Sequence, residues 1–110
     1  MTMQLQYYIT VKISKNSVED SLVLIIYEYI LKSSNPLPLR SKIISKEQSF
    51  NADYISLLKQ LFDVICEYKV KDDIKKQHLI IVSEHLYRSS FVVDQEINFF
   101  SCLLNLAEVN

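Results

Sequence analysis

The stretch MQLQYYITVKI, residues 3–13, alternates almost without a break. Leu5, Tyr7, Ile9, Val11 and Ile13 fall on one side. Gln4, Gln6, Tyr8, Thr10 and Lys12 fall on the other. A period of two over this length predicts a β-strand with one buried face, at residues 4–13. The rest of the chain follows a helical period, so the strand needs a partner from elsewhere. Ile43-Ile44, inside RSKIISK at 40–46, offers a second strand across a right-handed crossover. Leu79-Ile80-Ile81-Val82 offers another, and a second copy of the chain pairing in a homodimer offers a third. The expectation is therefore an α+β fold. It is mostly helical, with about four helices, an N-terminal β-strand and one or two short additional strands.

Four segments carry the helical pattern. The first opens near Asn16 or Ser17, where Glu19 or Asp20 completes a capping box, and runs to about Lys32. Val18, Leu22, Ile25, Ile26, Tyr29 and Ile30 share one face, and Val23 and Leu24 widen it, which predicts a central helix. Ser33-Ser34-Asn35-Pro36-Leu37-Pro38 ends it in an extended loop. A cleaner helix starts at Asn51, with Asp53 in its first turn. It places Tyr54, Leu57, Leu58, Leu61, Phe62, Ile65 and Tyr68 inward, with Lys59 and Asp63 as an outward i,i+4 pair. Asp72 or Asp73 caps a third helix to about Ser89, and Phe91-Val92-Val93 reads as extended. Asp94 caps the last helix, to about Glu108. Ile97, Phe100, Leu103, Leu104 and Ala107 point inward on it, while Phe99 and Leu106 fall off that face.

At 110 residues, 49% hydrophobic and 23% charged, the chain reads as one globular domain over 1–110. Glycine is absent altogether. That argues against a P-loop, a dinucleotide-binding turn and a G-x-S-x-G nucleophile elbow, which all need glycine where backbone approaches a ligand closely. The N-terminus alternates rather than forming the apolar core of a secretory signal. The longest apolar run, Leu22–Tyr27, is far short of the ~20 residues that cross a bilayer. The expected location is the cytoplasm, with no membrane partner. Twelve basic and thirteen acidic residues leave no basic excess, which makes nucleic acid an improbable partner.

The chemistry-bearing residues have ordinary explanations. His78 and His85 lie ~10 Å apart along a helix, too far to share one metal ion, and read as surface or boundary histidines. Cys66 and Cys102 sit in apolar patterns and read as reduced core residues. The carboxylate pairs Glu19-Asp20, Asp72-Asp73 and Asp94/Glu96 stand at helix starts, where the dipole accounts for them. No catalytic, cofactor or metal site is expected.

Two features point to protein binding. Seven tyrosines occur without any tryptophan, and Tyr7 and Tyr8 face opposite sides of the strand. Residues 51–110 carry six basic and nine acidic groups, against six and four in residues 1–50. An acidic half suits a basic partner such as a toxin or nuclease. The expectation is a small non-enzymatic binding protein of the immunity or inhibitor kind, with Tyr8, Asp63, Glu67, Asp94 and Glu96 as contacts. The competing expectation is a structural module that dimerises through its N-terminal strand.

Overall fold

The computed structural model describes residues 22–110. The expected strand at 4–13, and Tyr8 with it, lies outside the described residues. Among those described there is no strand, and the α+β expectation gives way to an all-helical architecture. Five α-helices follow one another: α1, described over 22–32; α2, Leu39–Ile44; α3, Tyr54–Glu67; α4, Asp72–Arg88; and α5, Gln95–Glu108. A 3₁₀ turn, Glu47–Phe50, joins α2 to α3.

Both additional strands turn out to be helical for visible reasons. In α2, Leu39 and Ile43 are the buried pair, four residues apart on one helical face, while Ile44 is 40% exposed. A strand through Ile43-Ile44 would send these two to opposite sides. The LIIV run at 79–82 is continuous with a polar helix on either side, with no proline or glycine to interrupt it. Its helical wrap buries Val82, half-buries Leu79 and Ile81, and leaves Ile80 59% exposed. Phe91-Val92-Val93 is a turn, not an extended segment: the Phe91 and Val92 N–H groups both donate to the Arg88 carbonyl, at 3.0 Å.

Helices α3, α4 and α5 pack against one another. α1 supplies the centre, with Val23, Ile26, Tyr27 and Ile30 at 1% exposure or less; Ile25, expected on the inner face, is instead 61% exposed. Its Tyr27 ring packs edge-on against Tyr68, 5.5 Å between centroids, and Asn110 at the chain's end donates to the Ile30 carbonyl. α3 matches its pattern closely: Tyr54, Leu57, Leu58, Leu61, Val64 and Ile65 are buried. Its cap is Asp53 rather than Asn51, with the carboxylate accepting from the Ser56 N–H at 3.0 Å. Asn51 and Ala52 precede it at φ 55° and 54°, a left-handed corner that a glycine-free chain builds from Asn and Ala. Asp72 and Asp73 lie inside the first turn of α4, behind Lys71, where they face the dipole rather than cap the helix.

α5 is rotated from its expected phase. Asn98, Phe99, Cys102, Leu103, Leu106 and Ala107 face inward, whereas Ile97 is 53% and Leu104 37% exposed. Apolar residues surround this helix, so the core selects the face. Phe99 packs on Tyr54 at 5.6 Å between ring centroids, and the Leu106 backbone reaches His78.

Candidate functional site

The rotation of α5 has a consequence at the surface. Ile97 emerges beside the turn that joins α4 to α5, where Val93 is fully exposed. A groove of about 370 Å³ opens there, lined by Arg88, Val92, Val93, Asp94, Ile97, Asn98 and Ser101. Phe91 (62% exposed) and Tyr87 (73%) stand next to it in the chain, their rings edge-to-face at 5.3 Å. Val93 and Ile97 thus share the groove with an exposed arginine, and an exposed aromatic pair lies in the sequence just before it.

The floor is held by polar cross-links. The Asn98 side-chain amide donates to the His85 carbonyl at 3.0 Å, and Gln95 Nε2 donates to the Ser89 carbonyl at 2.8 Å. Ser89 and Ser90 hydroxyls fold back on the Leu86 and Tyr87 carbonyls, at 2.6 and 2.9 Å, which closes the end of α4. Asp94 at the lip accepts from the Ile97 N–H at 3.0 Å. The groove therefore has a fixed rim and floor, a requirement for specific recognition.

The expected contact residues among those described fall on two helices, Asp63 and Glu67 on α3 and Asp94 and Glu96 at the start of α5. Asp94 is the α5 cap. Glu96 is engaged by Arg40 of α2 in a two-pronged pair at 2.7 and 2.6 Å. Its bond and charge raise Arg40 above its usual range. Asp63 and Glu67 are exposed one turn apart on α3, and no ion pair forms between Lys59 and Asp63. The tyrosines are mostly interior: Tyr27, Tyr54 and Tyr68 are buried, and Tyr87 is the exposed one among those described. Burial, with the Glu28 carboxylate 3.2 Å from its hydroxyl, pushes the Tyr68 phenol up to about 12.

Both histidines are fully buried, contrary to their expected surface placement. His78 accepts from the Tyr27 hydroxyl at Nδ1, 2.8 Å, and donates from Nε2 to the Leu106 carbonyl, 3.1 Å. This arrangement calls for a neutral ring, and burial lowers its pKa below the usual histidine value. His85 donates from Nδ1 to the Ile81 carbonyl at 2.8 Å, and its Nε2 has no partner among the described residues. Cys102 is buried, and burial pushes its thiol up. Cys66 is exposed on α3, not in the core. Among the described residues, no three histidine, cysteine or carboxylate side chains gather as a metal site. No helix among them is long and apolar enough to cross a membrane.

Sequence reasoning missed the groove because periodicity placed Ile97 inward. One signal was available: Tyr87, Phe91, Val93 and Ile97 cannot all be buried by two antiparallel helices whose inner stripes are already full. A comparison with known protein families, curated proteins and solved structures finds no match for this chain.

Proposed function

We propose that this chain is a small, non-enzymatic protein-binding module that engages its partner through the α4–α5 groove. One observation carries the reading: Val93 and Ile97, both more than half exposed, line one groove with Arg88, and the exposed Tyr87–Phe91 ring pair lies in the neighbouring sequence. Exposed apolar side chains on a groove mark interaction sites when they form one patch. Tyrosine and arginine in a rigid setting are the residue types that dominate binding energy. In its most concrete form the module is an inhibitor or immunity-type protein that occludes the surface of a toxin or nuclease. The exposed Asp63 and Glu67 would then steer a basic partner.

The test is capture of a partner from the native cell with two baits, the wild-type chain and Val93→Glu. Val93 is fully exposed, so the substitution leaves the core intact. A near-stoichiometric protein held by the wild type and lost by the variant supports the reading. A partner held equally by both removes the groove from it. A second reading is self-association through the same face, favoured by Arg88 and Asp94 standing on one groove with opposite charge. Solution mass above that of one chain, reduced by Val93→Glu, would favour it.

A further inference from the structure

The outer face of α4 carries a pattern of its own. Asp73, Lys76, Ile80, Glu84 and Tyr87 are exposed and follow one another at three- and four-residue steps, so they form one stripe along the helix. Ile80 stands at its middle, 59% exposed, and Tyr87 near its end, 73% exposed. The spacing is the same in both directions from Ile80. Lys76 and Glu84 are its nearer neighbours, Asp73 and Tyr87 its farther ones, and exposed Arg88 adds a cation at the last position. Along the stripe the side chains run acidic, basic, apolar, acidic, basic.

These charges are not used within the fold. Among the described residues the ion pair is Arg40 with Glu96, and Lys75, beside the stripe, donates instead to the Cys66 carbonyl at 2.9 Å. Lys76 and Glu84 lie two turns apart, ~12 Å along the axis, too far to meet on one helix. Their order, however, complements its own reverse. When two copies of α4 lie antiparallel with Ile80 at a two-fold axis, each residue meets the one equally far on the other side. Lys76 then faces the partner's Glu84, and Glu84 the partner's Lys76. Asp73 comes level with the partner's Arg88, and the Tyr87 ring lies beside the partner's Lys76, whose stem it covers. Ile80 meets its own copy, which removes the exposed apolar centre from water. A parallel pairing would set every charge against its own kind.

We propose that the outer face of α4 is a self-recognition surface: two copies of this chain pair α4 against α4, antiparallel, with Ile80 at the two-fold axis. One helix face buries less than a standard interface, so the dimer is weak and reversible. At roughly 5 µM the chain is single and Ile80 is wet; at about 1 mM it is paired. The pairing does not rest on the α4–α5 groove. Each groove stands at the C-terminal end of its α4, so the two grooves go to opposite ends of the dimer.

The experiment is sedimentation equilibrium of the full chain at low salt, from roughly 5 µM to 1 mM. The mass should rise from one chain toward two. Ile80→Glu should hold it at one chain throughout. Lys76→Glu and Glu84→Lys each set like charges face to face twice across the axis, and each should weaken pairing by roughly tenfold. The double variant, Lys76→Glu with Glu84→Lys, should return to within about threefold of the wild type, because the swap restores both contacts. All of these positions are exposed, so the fold is kept, and circular dichroism checks it. A wild-type chain that stays single at the top concentration overturns the proposal and leaves the stripe to a different occupant. Association that survives Ile80→Glu also overturns it, and its loss in Val93→Glu would assign it to the groove instead. A double variant no stronger than the single ones overturns the antiparallel register. Failure here leaves the binding proposal standing, because that is judged by capture of a different protein with Val93→Glu.

Discussion

Helices α3 and α4 pack against each other, yet they are held by different means. α3 buries six apolar or aromatic side chains, Tyr54, Leu57, Leu58, Leu61, Val64 and Ile65, and opens on a side-chain cap from Asp53. α4 is three residues longer but fully buries only Val82 and the two histidines, and Lys71 offers it no side-chain cap. One helix is held by apolar area, which is indifferent to pH. The other adds to Val82 and the half-buried Leu79, Ile81 and Leu86 two buried imidazoles that donate to main-chain carbonyls. The second arrangement leaves apolar residues over: Ile80 and Tyr87 point away from the core. The helix with the polar inner face is the helix with the sticky outer face.

The largest expected effect lies in α3. Leu61 is fully buried, so Leu61→Ala removes transfer energy and leaves a cavity, costing about 2–5 kcal/mol. The matched change in α4, Ile80→Ala, should stay within about 0.5 kcal/mol, because that side chain is already wet. Urea unfolding of both variants checks the contrast. Equal losses would mean that Ile80 is covered in solution by something the isolated fold does not show.

Next in size is His78. His78→Leu strands the Tyr27 hydroxyl in the interior, at about 1–3 kcal/mol, while the Leu106 carbonyl keeps the Val109 N–H at 3.2 Å. The wild type should also show a pH slope of defined sign. The folded pKa of His78 lies below its ordinary value of 6.5, so in acid the unfolded chain takes up the proton first. Stability from this group is level above about pH 6.5 and falls as pH drops below it toward the folded pKa. Thermal midpoints between pH 8 and 5 should therefore decline on the acid side, and His78→Leu should flatten part of that decline. A midpoint that rises on acidification would contradict the neutral, doubly bonded ring.

The caps give a smaller, paired test. Asp53→Ala takes the cap from α3 and should cost about 1 kcal/mol. Lys71→Ser installs a cap on α4, where the backbone already has the extended ψ of 142° that a capping residue uses. It should add about 0.5–1 kcal/mol. If both changes move the denaturation midpoint in these directions, the poor start of α4 is a property of its sequence and not of its packing.

The same contrast explains what the sequence disclosed. α3 was legible through its apolar stripe, although its start was read at Asn51 instead of at the Asp53 cap and Val64 was not among the residues expected inward. α1 was legible as the central helix, and Asp94 as the cap of α5. α4 was ambiguous because LIIV at 79–82 satisfies a strand as well as a helix, and its inner face is marked by histidines that look like surface residues. The short α2 was misread as a strand from two adjacent isoleucines, when Leu39 and Ile43 carry the period. In α5 apolar residues occur on every side, so spacing alone could not choose between Ile97 with Leu104 and Phe99 with Leu106. The groove depended on that choice. Spacing alone therefore did not disclose it, and the acidic residues drew attention instead.

The smallest expected effect on stability is at those acidic residues. Asp63 and Glu67 sit exposed on α3, which contributes no groove-lining residue, and outside any ion pair among the described residues. Reversing both, Asp63→Lys with Glu67→Lys, should change stability by no more than about 0.5 kcal/mol. Its value lies in separating steering from docking. If the partner is basic, the reversal slows association and the loss shrinks as salt rises, while dissociation is unchanged. Val93→Glu should do the opposite, speeding dissociation with little salt dependence. Association kinetics of the two variants against one captured partner would then assign α3 to the encounter and the α4–α5 end to the grip. A reversal that leaves association untouched removes the acidic face from the mechanism and leaves the groove to account for binding by itself.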